Sequence, residues 1–300
     1  MTLLKTFCEI DDFCNFFIPL MNEKIIGKCR RKVCKPGLCE SEIITILISF
    51  HQSGYRNFKH FYKNYVLVYC RKEFPKLVSY NRFVELMSSV LLIMIAYLNL
   101  SRKQYEKTNL YFIDSTRIKV CHNRRIYRNK VFAGIAKRGK SSMGWFFGFK
   151  LHLVVNEKGD LISFFLTPGN VDDRNDQVIE KLTKGLIGLL FGDRGYISKK
   201  IFKELFERGL KLVTGIKSNM KNKLMDIKEK ILLRKRSLIE TINDQLKNIY
   251  QVEYTRHRSV KNFFVNIVSG LIAYKFQEKK PKLNLNLKWS ECFEKIPAVI

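Results

Sequence analysis

From residue 41 the chain reads SEIITILISFHQSG, an apolar stripe at helical spacing that stops at Gly54, and YRNFKHFYKNYVLVY (55–69) resumes with aromatics at the same spacing among Lys and Arg. Residues 1–100 show no sustained strand alternation, so this part is expected to be helical. Two helices about a glycine turn match a helix-turn-helix, and they match an ordinary helical hairpin equally well. After about Asn109 the period changes. LYFID (110–114) is a short apolar run, FGFKLHLVVNEKGDLISFFLTPGN (147–170) holds two β-rich runs about an EKGD turn, and GLLFGD (188–193) and LKLVTGIK (210–217) read as further strands. Helical segments are interleaved: DQVIEKLTKGLIG (176–188), then SKKIFKELFERG (198–209) with a Ser198 cap and a Gly209 stop. Strands that first meander and later alternate with helices predict an α/β domain. The expected organisation is a smaller all-α domain over residues 1–105, an α/β domain over 106–278 and a tail of little periodicity over 279–300.

Composition changes the picture in one direction. With 46% hydrophobic residues, 300 residues can bury one large core or two modest ones. Against 27 Asp and Glu stand 55 Lys and Arg, a formal net charge of +28, and so strong an excess points to a polyanionic partner. Nucleic acid is the first candidate and an anionic membrane surface the second. The longest apolar run, Val90–Leu98 inside Leu86–Leu100, falls short of the roughly 20 residues a bilayer span needs and predicts a buried core helix. MTLLKTFCEIDDFC puts acids where a signal peptide needs an apolar centre, so the expected location is the cytoplasm. In that reducing setting the 8 cysteines should be free thiols. Cys29, Cys34 and Cys39 lie five apart, a spacing that does not suit zinc, and His51 and His60 are only loose partners for them.

The basic stretch VCHNRRIYRNKVFAGIAKRGKSSMGW (120–145) is either a solvated loop or a surface that tracks phosphates, and the net charge favours the second. Arg124, Arg125, Arg128 and Lys130 are then its DNA contacts.

Asp114 and Asp193 each follow a buried apolar run, where an α/β sheet gathers its ligands and catalytic groups. Two carboxylates at adjacent strand ends repel unless a cation neutralises them. Mg²⁺ suits such oxygen ligands, and a pair of ions about 4 Å apart can assist both sides of a phosphodiester displacement. That chemistry calls for a third acid. In RKRSLIETINDQLK (234–247), at about 100° per residue, Arg236, Glu240, Asn243 and Lys247 form one narrow stripe. Leu238, Ile239, Ile242, Leu246 and Ile249 form a separate apolar arc, which puts the stripe at the margin of the buried face. The bland alternative for Glu240 is a surface ion pair with Arg236. Asp172 and Asp173 in GNVDDR read as turn residues, and His152 in KLHLVV as a packed strand histidine.

YFIDST, FGDRGY and RSLIETINDQLK, in that order, resemble the three acid motifs of bacterial insertion-sequence transposases of the DDE class, and insertion-sequence family nine-eighty-two is the most similar group. The acid intervals and TPGNVDDR fit the same class, and the resemblance covers about residues 108–278. It implies an RNase H-like mixed sheet flanked by helices, with Asp114, Asp193 and Glu240 holding two Mg²⁺ ions, or Mn²⁺ as a substitute. It also implies a reaction in which water attacks at the element's ends and the freed 3′-hydroxyl attacks target DNA. In related transposases the third-acid helix carries Tyr-x2-Arg-x3-Glu-x6-Lys; Arg236, Glu240 and Lys247 match, while position 233 is Leu. Arg236 and Lys247 are thereby implied as phosphate contacts, with Asn243 as a helper. The implied partners are double-stranded DNA, as terminal inverted repeats read by the N-terminal helices and as target, and further copies of the chain in a synaptic complex on the nucleoid. Two rivals are a junction resolvase using the same acids and a transposon-derived DNA-binding protein in which the acids are relics.

Overall fold

A computed structural model describes residues 3–25, 37–102, 105, 108–141, 144–216, 220, 225–254 and 256–284. Two compact units divide the chain: one joins Met1–Ser101 with Leu246–Glu278, the other Arg102–Gln245 with Lys279–Ile300. Residues 246–278, which the local pattern assigns to the α/β part, thus cluster with the N-terminal helices.

The first unit is helical. It holds α1 (Leu3–Ile25), α2 (Glu40–Gln52), α3 (Phe58–Phe61), α4 (Leu67–Tyr69), α5 (Tyr80–Leu86) and α6 (Leu91–Ser101). A wide helical turn, Tyr62–Val66, joins α3 to α4. The expected pair of helices about Gly54 is present, and Gly54 is needed there because the chain turns with φ of +74°. From Tyr80 to Ser101 the run is 22 residues, long and apolar enough to cross a bilayer by length and composition. Phe83, Val90, Ile93, Met94 and Tyr97 are buried, while Leu92 and Leu100 are exposed, so the run is buried on one face only.

The second unit is a mixed six-stranded sheet flanked by helices. Its elements are β1 (Leu110–Cys121), β2 (Lys137–Ser141), β3 (Gly144–Asn156), β4 (Leu161–Pro168), α7 (Asp176–Thr183), β5 (Gly188–Gly192), α8 (Lys199–Glu207), β6 (Leu210–Thr214) and α9 (Ile227–Arg234). Helix α10 (Ser237–Asn248) begins in this unit, and α11 (Val260–Lys275) belongs to the helical one. The order is β2-β3-β1-β5-β6, with β4 also pairing β3. Strands β1, β3 and β4 are antiparallel, while β5 is parallel to both β1 and β6. On one face Tyr111, Ile113 and Val154 of the sheet share a core with Val178 and Ile179 of α7, Ile201 of α8 and Tyr196.

Three local expectations change. Strand β1 does not stop at Asp114 but runs to Cys121, and the basic stretch after it contains a 3-10 turn (Asn123–Arg128) and the edge strand β2. Helix α7 ends at Thr183, before Gly185 with φ of +75°. The described part of the tail docks on the β3–β4 turn: Lys280 Nζ lies 2.7 Å from Asp160 Oδ1, and Leu283 N–H donates to the Glu157 carbonyl at 2.8 Å.

Candidate functional site

Asp114 and Asp193 are brought level by strand register. Parallel pairing of β1 and β5 runs Leu110↔Leu189, Tyr111↔Leu190, Phe112↔Phe191, so two residues further on the two aspartates hold matching positions on neighbouring strands, and the Asp193 charge acts on the Asp114 carboxyl. Beyond Phe112 the β1 backbone pairs only with β3, leaving this side open for side chains. Asp193 leaves β5 into a tight turn, and its Oδ1 accepts the Gly195 N–H at 2.7 Å. Gly192 before it leaves little room for a side chain: a Cβ would stand 3.1 Å from Ile113 Cγ2 and 3.2 Å from the Tyr196 ring, so these neighbours would have to shift.

The third acid arrives on α10. Leu238, Ile239, Ile242 and Leu246 are buried as the helical pattern predicts, whereas Ile249, one residue past the helix end, is exposed. Asn243, only 7% exposed, donates from Nδ2 to Asp114 Oδ2 at 2.9 Å and so ties the helix to the first acid. Arg236 Nη2 donates to Glu240 Oε1 at 2.8 Å, so the ion pair expected from spacing is formed. It lies within the acid neighbourhood rather than on an unrelated surface. Burial pushes the Asp114 carboxyl up to about 6; the Arg236 charge and the Ser115 N–H oppose this, and the Asp193 and Glu240 carboxylates add to it.

Among the described residues no three His, Cys, Asp or Glu side chains close into a metal-ligating group. The donor set nevertheless fits a hard divalent cation. All three candidates are carboxylates, and Asp114 carries a charge disfavoured by burial and by two like neighbours, the condition such an ion relieves. Two buried polar atoms beside them, Arg236 Nη1 and Asn243 Oδ1, have no hydrogen-bond partner among the described residues.

Asp173, set aside as a turn residue, is tied to the sheet. Lys150 Nζ donates to its Oδ1 at 3.1 Å and to the Val171 carbonyl at 2.9 Å. His152 is fully buried, with Nε2 2.9 Å from Thr167 Oγ1, and burial pushes its imidazole down to about 4, which keeps it neutral. Asp172 is the ordinary turn acid expected: Arg174 forks onto it at 2.8 and 3.0 Å and holds it down at about 2. A cleft of about 500 Å³ runs from Asp173 and Gly195 to Arg138, Lys140, Arg174 and the exposed Trp145. Of these only the basic character of 137–140 was visible in sequence.

Arg124, Arg125, Arg128 and Lys130 are exposed, but they follow β1's end at Cys121, seven residues and so roughly 23 Å beyond Asp114. Lys247 falls in the helical unit, its Nζ 3.7 Å from Glu253 Oε2. Of the zinc candidates, Cys29 and Cys34 lie outside the described residues. Cys39 Sγ contacts Ser41 Oγ at 3.1 Å, and His51 is buried between the Tyr250 carbonyl and Ser269 Oγ.

A family model described as a transposase DDE domain matches residues 104–260. The cryo-EM structure of a piggyBac transposase synaptic complex with hairpin DNA is similar at 11% identity and a TM-score of 0.48, covering 90% of this chain and 72% of that one. No curated protein matches.

Proposed function

The chain belongs to the transposase DDE domain family, and from that premise we propose that it cuts DNA at the ends of an insertion sequence and joins the freed 3′-hydroxyls to target DNA. The observation that carries this reading is the register-matched pair Asp114 and Asp193, with Glu240 brought to the same neighbourhood on a helix anchored by Asn243. Asp114, Asp193 and Glu240 would hold two Mg²⁺ ions, or Mn²⁺ in their place, which when bound supply Lewis-acid assistance to a phosphodiester and neutralise the acids.

The chain's own residues do the positioning. Asn243 fixes one oxygen of Asp114. Arg236 holds Glu240 through Nη2, and its planar guanidinium is of the kind that pairs with phosphate oxygens. Arg138, Lys140 and Arg174 along the cleft, with Arg124, Arg125, Arg128 and Lys130 further out, supply a cationic track for the DNA backbone. The reaction uses water to break one phosphodiester and then the released 3′-hydroxyl to break and re-form another in the target. Lys247 as a further phosphate contact, recognition of terminal inverted repeats by α2 to α4, assembly of several copies on paired ends, action on the cytoplasmic nucleoid, and membership of insertion-sequence family nine-eighty-two complete the proposal.

The test is incubation of an element-end duplex and a target plasmid with Mg²⁺ and either the natural chain or Glu240→Gln. Strand-transfer products from the natural chain and none from the variant are expected. Cleavage of branched DNA without joining points to a resolvase; tight binding with no metal-dependent product points to a relic; equal cleavage by the variant removes Glu240 from the acid set.

A further inference from the structure

The helical unit contains a cavity of about 630 Å³ that the proposed chemistry does not use. Its size is inside the roughly 300–1,000 Å³ of small-molecule pockets. Phe58, Tyr80 and Tyr254 supply aromatic walls, and Lys59, Arg256 and Arg258 supply cations that have no ion-pair partner among the described residues. Lys59 Nζ sits 5.9 Å from the centroid of the Tyr80 ring, so charge and aromatic face are adjacent.

Most of the polar lining is satisfied within the protein. His51 is bonded on both ring nitrogens, and the Asn266 amide faces the Gln251 and Val252 carbonyls at 3.5 and 3.4 Å. Two groups are not. The Asn262 amide is oriented by donating Nδ2 to the Val84 carbonyl at 3.1 Å, which leaves its Oδ1 buried with no donor. His257 Nε2 is likewise buried without a partner, while the ring packs edge-on against Tyr254 and Phe263. A buried polar atom left unmet is costly, and two of them on residues that line one cavity mark where a ligand's polar edge goes.

We propose that this cavity binds a nucleotide. A base bearing an exocyclic amino group donates to Asn262 Oδ1 and meets His257 Nε2, its ring stacks among Phe58, Tyr80 and Tyr254, and its phosphate lies with Lys59, Arg256 and Arg258. Such a unit has two sources, a free nucleoside phosphate or an unpaired nucleotide of bound DNA. Only the second rests on the proposed function.

The experiment uses the full chain carrying Glu240→Gln in buffer without divalent metal, so that no cleavage intervenes. Calorimetric titration with dAMP, dCMP, dTMP and inorganic phosphate forms one arm. Fluorescence of duplexes with a paired or an unpaired 2-aminopurine forms the other. Amino-bearing dAMP and dCMP are expected to bind about ten-fold tighter than dTMP, the ratio for one hydrogen bond, and Asn262→Leu should erase that preference. Arg258→Gln, at an exposed position, should weaken dAMP about ten-fold even if Asn262→Leu folds poorly. A response confined to the unpaired 2-aminopurine duplex and lost in Asn262→Leu supports the same site with DNA as its source. Binding of dTMP or phosphate as tight as dAMP, or no binding in either arm that depends on Asn262 or Arg258, overturns the proposal. Absence of strand transfer by the natural chain with Mg²⁺, while this binding is intact, would overturn the transposase reading alone.

Discussion

Replacing Asp114 by Asn should abolish DNA cleavage and yet stabilise the fold at neutral pH. In the folded chain burial, helped by Asp193 and Glu240 and opposed by Arg236 and the Ser115 N–H, raises this carboxyl from its ordinary 3.8 to about 6. Below 3.8 both folded and unfolded chains are protonated there and nothing is lost. Between the two values the unfolded chain has released a proton that the folded chain still holds, so stability falls as pH rises and remains lower above 6. At about 1.4 kcal/mol per pH unit the cost is about 1 kcal/mol at pH 4.5 and about 3 kcal/mol at pH 7. Asparagine keeps an amide oxygen for the Asn243 Nδ2 donor, so the hydrogen bond survives the change. Urea unfolding without divalent ions should therefore show Asp114→Asn more stable by about those amounts at the two pH values. Mg²⁺ at ten times its Kd should return about 1.4 kcal/mol to the natural chain at pH 7 and nothing to the variant. An equal gain at both pH values, or a variant less stable at pH 7, would refute the electrostatic reading of the acid cluster.

Two further outcomes follow from other parts of the fold. Gly192→Ala places a methyl 3.1 Å from Ile113 Cγ2 and 3.2 Å from the Tyr196 ring, and should cost about 1–3 kcal/mol in urea unfolding while lowering strand transfer by displacing Asp193. Substituting Arg124, Arg125 and Arg128 together by Ala should leave the unfolding midpoint unchanged but make the slope of log affinity for duplex DNA against log salt shallower by about three; an unaltered slope removes this turn from the DNA path.

The parts of the fold that local pattern could reveal are those where one face is apolar and the other wet. The apolar arc of α10 was readable for that reason, as were the Gly209 stop of α8 and the pairing of an acid with each of β1 and β5. Strand β1 was cut short because Ser115, Thr116 and Arg117 are half-buried polar residues that look like the end of a strand, although β3 continues to pair with them. Edge strand β2, KRGKS, hides its backbone pairing behind the exposed cations that keep sheet edges from aggregating. The alliance of 246–278 with the N-terminal helices depends on α11 packing against α2 and α6, contacts between segments about 200 residues apart that no short-range period records. At the site, the three candidate acids were named from their settings together with the resemblance of their motifs to the DDE class. The grip of Asn243 on Asp114 and of Lys150 on Asp173 was not, because each joins residues from different elements.

Alternation along β1 gives the first acid a parity. Ile113 belongs to the core under α7 and α8, while Asp114, its neighbour, meets Asn243 on the opposite face. Removing or inserting a single residue within 110–113 would trade them, burying a carboxylate in hydrocarbon and presenting isoleucine to the substrate, whereas a change of two residues would keep odd and even in place. Drift of the gene by whole codons is therefore not graded at this strand. An odd indel ends folding and chemistry together, and an even one leaves the acid on its own side of the sheet.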